Sequence, residues 1–66
     1  MKKRYEPLQS LKLRRIEKGM TQERLAKIVG VGQSLISCYE TGANFPKRQT
    51  LSKLAEALGC EVKDLL

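Results

Sequence analysis

The chain has no histidine and no tryptophan, and only two cysteines, two prolines, two tyrosines and one phenylalanine. Without histidine, and with no cysteine set among closely spaced carboxylates, nothing matches a first-row metal site or a Ser/Cys/His nucleophile-and-base arrangement. A metal, a cofactor and an enzymatic activity are therefore not expected. Cys38 and Cys60 form no C-x-x-C pair and cannot supply the several bridges that small secreted domains use, so reduced thiols in a cytoplasmic setting are the expectation. No apolar run approaches the ~20 residues needed to span a bilayer. Met1 to Arg4 leads into Tyr5-Glu6-Pro7, where a signal peptide would need an uninterrupted apolar core.

What is present is 66 residues, 41% of them apolar, with 13 Lys and Arg against 7 Asp and Glu. That length holds one domain, residues 1–66, whose single core buries only ~60% of the surface of the unfolded chain. The formal charge of +6 is unevenly placed. Met1 to Lys18 carries seven basic residues against Glu6 and Glu17, whereas Gly19 to Pro46 balances Arg24 and Lys27 with Glu23 and Glu40. A basic arm over residues 1–6 and the start of the first helix suit a polyanionic partner.

Glycine and proline divide the chain in the order expected of helices opened by Pro and closed by Gly. Leu8, Leu11 and Ile16 predict a helix over about Leu8 to Lys18, with Leu13 off the apolar stripe and exposed or covering an interface. Thr21 is placed to cap a second helix running to Val29, whose inner face is Leu25, Ala26 and Val29, and Gly30 is placed to close it. Gly30-Val31-Gly32 leaves three residues before a third helix, Gln33 to Glu40, with Ile36 and Tyr39 inward. A loop over Thr41 to Pro46 precedes a fourth helix from Lys47 to Leu58, where Leu51, Leu54, Ala55 and Leu58 recur at i, i+3, i+4 and i+7. Val62, Leu65 and Leu66 predict a short fifth helix. The fold class is all-α, with two helices meeting at a tight corner over about 21–40.

A corner of this kind occurs in many helical domains, and the residue pattern is more specific. Thr21-Gln22-x-x-Leu25-Ala26-x-x-Val29-Gly30-Val31-x-Gln33-Ser34-x-Ile36-Ser37-x-Tyr39-Glu40-x-Gly42, then Pro46 and Leu54-Ala55-x-x-Leu58-Gly59, resembles the Cro and phage-repressor (Xre-type) helix-turn-helix domains. The resemblance covers about Leu8 to Leu66. It implies a five-helix lambda-repressor-like fold and binding of double-stranded DNA as a transcriptional regulator, most often a repressor. Gln33 to Glu40 would then be the helix that enters the major groove, with Thr21 to Val29 lying across the backbone. Such domains work in pairs, so a weak homodimer through the C-terminal segment is expected, with Leu58, Val62, Leu65 and Leu66 as its apolar surface. A nucleoid-associated, cytoplasmic location follows from that role.

With Ile36 inward, a helical wheel points Ser34 and Cys38 away from the core and sets Gln33 and Ser37 on the flank. These four are the candidate base readers. A Gln33 amide can pair bidentately with adenine N6 and N7, discriminating by ~1–3 kcal/mol. Ser34 and Ser37 offer hydroxyls to base or phosphate, or simply solvate the helix. Cys38 can touch a thymine methyl or act as a small neutral filler. No Lys or Arg lies between Gln33 and Glu40, so the commonest guanine contact is missing and A·T contacts with shape readout are expected. Phosphate contacts then fall to Gln22 and its helix start, to Asn44, and to Lys47 with Arg48. The resemblance also implies that Arg15 and Glu40 form a partly buried ion pair between the first and third helices.

Three positions depart from the family pattern. Gly32 stands where a Ser or Thr cap is usual, Leu35 is more apolar than is usual beside DNA, and Cys60 replaces a capping residue before the final helix. A rival from another class is the same scaffold docking a protein through its third helix, in an antitoxin or coactivator-like role.

Overall fold

In the computed structural model, which describes residues 4–66, the α-helices are α1 (Gln9–Glu17), α2 (Gln22–Val29), α3 (Gln33–Thr41) and α4 (Arg48–Leu58). Val62–Asp64 forms a single 3-10 turn in place of the expected fifth α-helix. The reason is local. Asp64 N–H donates to the Glu61 carbonyl and Leu65 N–H to that of Val62, both at 2.9 Å, and these i to i+3 bonds carry Leu65 directly into the core. The capping position is Glu61, one residue beyond Cys60: its N–H donates to the Asp64 carboxylate at 3.0 Å.

The core runs through all of these elements. Leu11, Leu25, Ile36, Leu54 and Leu65 are completely enclosed, and Leu8, Ala26, Val29, Tyr39, Leu51, Ala55 and Leu58 complete it. Each enclosed aliphatic side chain contributes about 1.5–3 kcal/mol relative to exposure. Ile16 is not among them: it is 53% exposed, and the inner stripe of α1 is Leu8, Leu11 and Arg15. That stripe keeps the i, i+3, i+7 spacing, but its third position holds a charged residue whose burial an apolar pattern does not reveal.

The described part of the expected basic arm is docked on the body of the domain. Tyr5 N–H donates to the Gly42 carbonyl at 2.9 Å, Leu8 N–H to that of Tyr39 at 3.1 Å, and the Arg4 guanidinium to that of Thr41 at 3.1 Å. The Tyr5 and Phe45 rings lie 6.0 Å apart. Residues 4–7 thus form a strap over the end of α3, and Lys2 and Lys3 lie outside the described residues. Gly42 is what lets the strap approach: with φ of +88°, it has no Cβ to collide with the Tyr5 carbonyl and press on Pro7.

Candidate nucleic-acid interface

The corner between α2 and α3 is built from helix ends and small apolar side chains. Thr21 caps α2 by accepting from the Arg24 N–H at 3.0 Å. At the other end Gly30, at φ +86°, turns the chain so that its N–H and that of Val31 both donate to the Ala26 carbonyl, at 2.8 and 3.0 Å. Any residue with a Cβ is strained in that conformation. Gly32 then starts α3 from an extended conformation with no side-chain cap. Ala26 is buried, Ile36 is enclosed, and Val31 packs partly buried against the same core, so small and apolar side chains brace the angle between the helices.

Bracing on one side leaves α3 presented on the other. Ile36, Tyr39 and Glu40 face inward. Gln33 and Ser34 are exposed, whereas Ser37 and Cys38 are half-buried and Leu35 packs against the core. Of the four candidate base readers, two therefore stand free. The turn at Cys38 is also where the next loop gathers: its carbonyl accepts from the amides of Gly42, Ala43 and Asn44, at 2.9, 3.0 and 3.2 Å. Burial pushes the Tyr39 phenol above its usual value, and the neighbouring Cys38 adds in the same direction.

Behind the corner lies a buried polar network. Arg15 Nε donates to Glu40 Oε2 at 2.7 Å and its Nη2 to Oε1 at 3.2 Å, while Nη1 donates to the Met20 carbonyl at 2.7 Å. The side chains of the pair are 11% and 3% exposed, so this is an interior ion pair with geometry close to bidentate. Gln22 Nε2 also donates to Glu40 Oε1, at 3.0 Å. The Glu40 carboxylate thereby joins α1, the start of α2 and the end of α3, and Arg15 adds the α1–α2 turn. The Gln22 bond had no signal in the sequence, where the residue stands out only as a polar side chain at a helix start.

The remaining phosphate candidates lie along the loop and at the start of α4. Asn44 is exposed, and its Oδ1 accepts from the Phe45 N–H at 2.8 Å, which leaves the amide nitrogen as the outward group. Lys47 is the N-cap of α4 and Arg48 its first residue, both exposed, with no acidic side chain in the first turn. Cations at the positive end of a helix dipole are unfavourable alone, and an anion there relieves both the charges and the free amides. Arg15 faces the interior and is committed to Glu40. Among the described residues no three or more acidic or cysteine side chains converge on a metal-sized site, and no helix is long and apolar enough to cross a membrane.

Residues 11–65 match the helix-turn-helix family. The chain belongs to that family. A Vibrio cholerae relative, the cryptic phage CTXphi transcriptional repressor RstR, is 37% identical over 52 residues, covering 79% of this chain and 47% of the relative. Multiprotein-bridging factor 1a of Arabidopsis thaliana is 41% identical over 49 residues, covering 74% of this chain and 34% of its own length. The chain thus spans about a third to a half of these curated relatives. Among solved structures, the P22 c2 repressor in complex with a synthetic operator superposes with a TM-score of 0.86 at 31% identity, covering 92% of this chain and 94% of that one. The chain is a helix-turn-helix domain of the Cro/Xre type, a family of non-enzymatic DNA-binding regulators, and its architecture is lambda-repressor-like.

Proposed function

We propose that this helix-turn-helix domain recognises specific sequences in double-stranded DNA as a repressor, with α3 in the major groove. The observation that carries the reading is the exposure of Gln33 and Ser34 at the start of a helix braced from behind by Ala26, Val31 and Ile36. A groove ~12 Å wide accepts one such helix. Gln33 reads adenine, Ser34 and the partly covered Ser37 and Cys38 line the same surface, and Gln22, Asn44, Lys47 and Arg48 hold the backbone. That the structurally similar P22 c2 repressor was solved with an operator supports DNA as the partner. Such a role belongs with the nucleoid in the cytoplasm.

The test is selection of bound sites from random duplexes, followed by Gln33→Ala at one salt concentration. Loss of ~1–3 kcal/mol confined to one A·T position supports the assignment. Equal weakening on all duplexes removes Gln33 as a base reader.

Specificity calls for two copies about 34 Å apart on an inverted repeat. The expected dimer surface needs revision, because Leu58 and Leu65 are enclosed in the chain's own core. What is left is Leu66, 66% exposed, and a shallow groove between α4 and the 3-10 turn, where Ala55, Cys60 and Val62 are flanked by Ser52, Glu56, Glu61 and Lys63. A weak dimer forming on DNA fits that small surface. Sedimentation with and without duplex checks it, and one protein per selected site would rule it out.

The likeness to a multiprotein-bridging factor favours a second reading, docking of a protein through α3. A salt titration separates the two: binding through phosphates weakens with a log–log slope of roughly −0.9 per phosphate, and apolar docking barely changes.

A further inference from the structure

We propose that Glu40 is a positioning residue for DNA: its Oε1 holds the Gln22 carboxamide so that one amide proton points inward and the other faces a phosphate. This rests on the reading of Gln22 as a backbone contact. Carboxylates and phosphates both accept hydrogen bonds and never donate, whereas a carboxamide has two protons on nitrogen and a bare oxygen. Whichever end of the Gln22 amide faces Glu40 must therefore be the nitrogen, as its 3.0 Å bond requires. The second proton of that nitrogen is left for the exposed side of the half-buried residue. Without the carboxylate the amide is free to rotate, and its oxygen, turned toward a phosphate, would repel it.

Arg15 completes the device from the far side. Its two bonds to Glu40 fix the carboxylate plane, and its third, to the Met20 carbonyl, ties the turn that leads into α2. Oε1 is shared between Arg15 Nη2 and Gln22 Nε2, so the inner pair sets the orientation of an outer donor. Affinity for the duplex then depends on a charge pair that never meets DNA.

A double-mutant cycle tests this with a 20-base-pair duplex taken from the random selection, under conditions where circular dichroism shows every variant folded. Replacing the pair by apolar residues, Arg15→Met with Glu40→Leu, keeps the core filled but gives Gln22 no acceptor. Gln22→Ala alone and the apolar pair alone are each expected to weaken binding about tenfold, as for one lost bond to a charged group. Each should leave the salt slope unchanged, because a neutral carboxamide displaces no counterion and the ion pair carries no net charge. Adding Gln22→Ala to the apolar pair should change affinity less than twofold. If the apolar pair binds like the wild type, or if Gln22→Ala keeps its full effect in that background, the proposal is overturned.

Should the apolar pair fail to fold, NMR on the wild type decides. One Gln22 side-chain amide proton is expected to be protected from exchange in the free protein, and the other is expected to shift on adding duplex. Two equivalent, unprotected protons overturn the proposal. A wild type that binds no duplex removes the DNA reading itself and the positioning role with it, an outcome distinct from independent effects in the cycle.

Discussion

Removing one member of a buried ion pair strands the other in the interior, and in this domain the pair sits between α1 and α3. Arg15→Ala or Glu40→Ala is expected to cost about 3–5 kcal/mol, a large share of a small domain's stability. Urea unfolding measures this, and a loss below ~1 kcal/mol would mean that the pair behaves like an exposed one. A comparison of two glycines isolates the strap. Gly30 and Gly42 have nearly the same positive φ, +86° and +88°, but a Cβ at Gly30 meets nothing within 4 Å whereas one at Gly42 meets Tyr5 and Pro7. Gly30→Ala should cost about 1–2 kcal/mol for the backbone conformation alone. Gly42→Ala should cost measurably more in the same melts, because the strap must also move.

At the scale of the helix, α1 shows how far a pattern of apolar spacing reaches. The stripe of Leu8 and Leu11 was readable, but its third position is the charged Arg15, and Ile16, one residue on, faces solvent. Ile16→Lys should therefore change stability by no more than ~0.5 kcal/mol, as for other surface sites. A thermal shift of many degrees would place Ile16 in an interface. The α2–α3 corner was legible almost completely, since Thr21, Ala26, Gly30 and Ile36 each act within a turn or two of their own position. The end of the chain was legible only in part: Val62, Leu65 and Leu66 announce a helical spacing, yet the i to i+3 bonds that make it a 3-10 turn are settled by where Leu65 finds the core.

For the molecule as a whole, Tyr39 predicts a limit at alkaline pH. Burial holds its phenol above the ordinary value near 10, so the folded state binds that proton more tightly than the unfolded one. Its contribution is fully present below pH ~10 and is lost as the pH rises through the raised value. Melting temperatures between pH 9 and 11 should fall less steeply in Tyr39→Phe than in the wild type, and parallel curves would assign the alkaline loss to other groups.

The sequence alone determined the class of fold, the corner and the exposure of Gln33 and Ser34 on α3, though not the half-burial of Ser37 and Cys38, because helix caps, glycine turns and apolar periods act between near neighbours. Tertiary structure decided the strap, in which Arg4 reaches Thr41 37 residues away, and the Gln22 to Glu40 bond across 18 residues. It also decided that Leu58 and Leu65 are consumed by the core and unavailable to a partner. A side chain's composition states what it can bond to, but which distant group arrives at bonding distance depends on how all the helices pack at once.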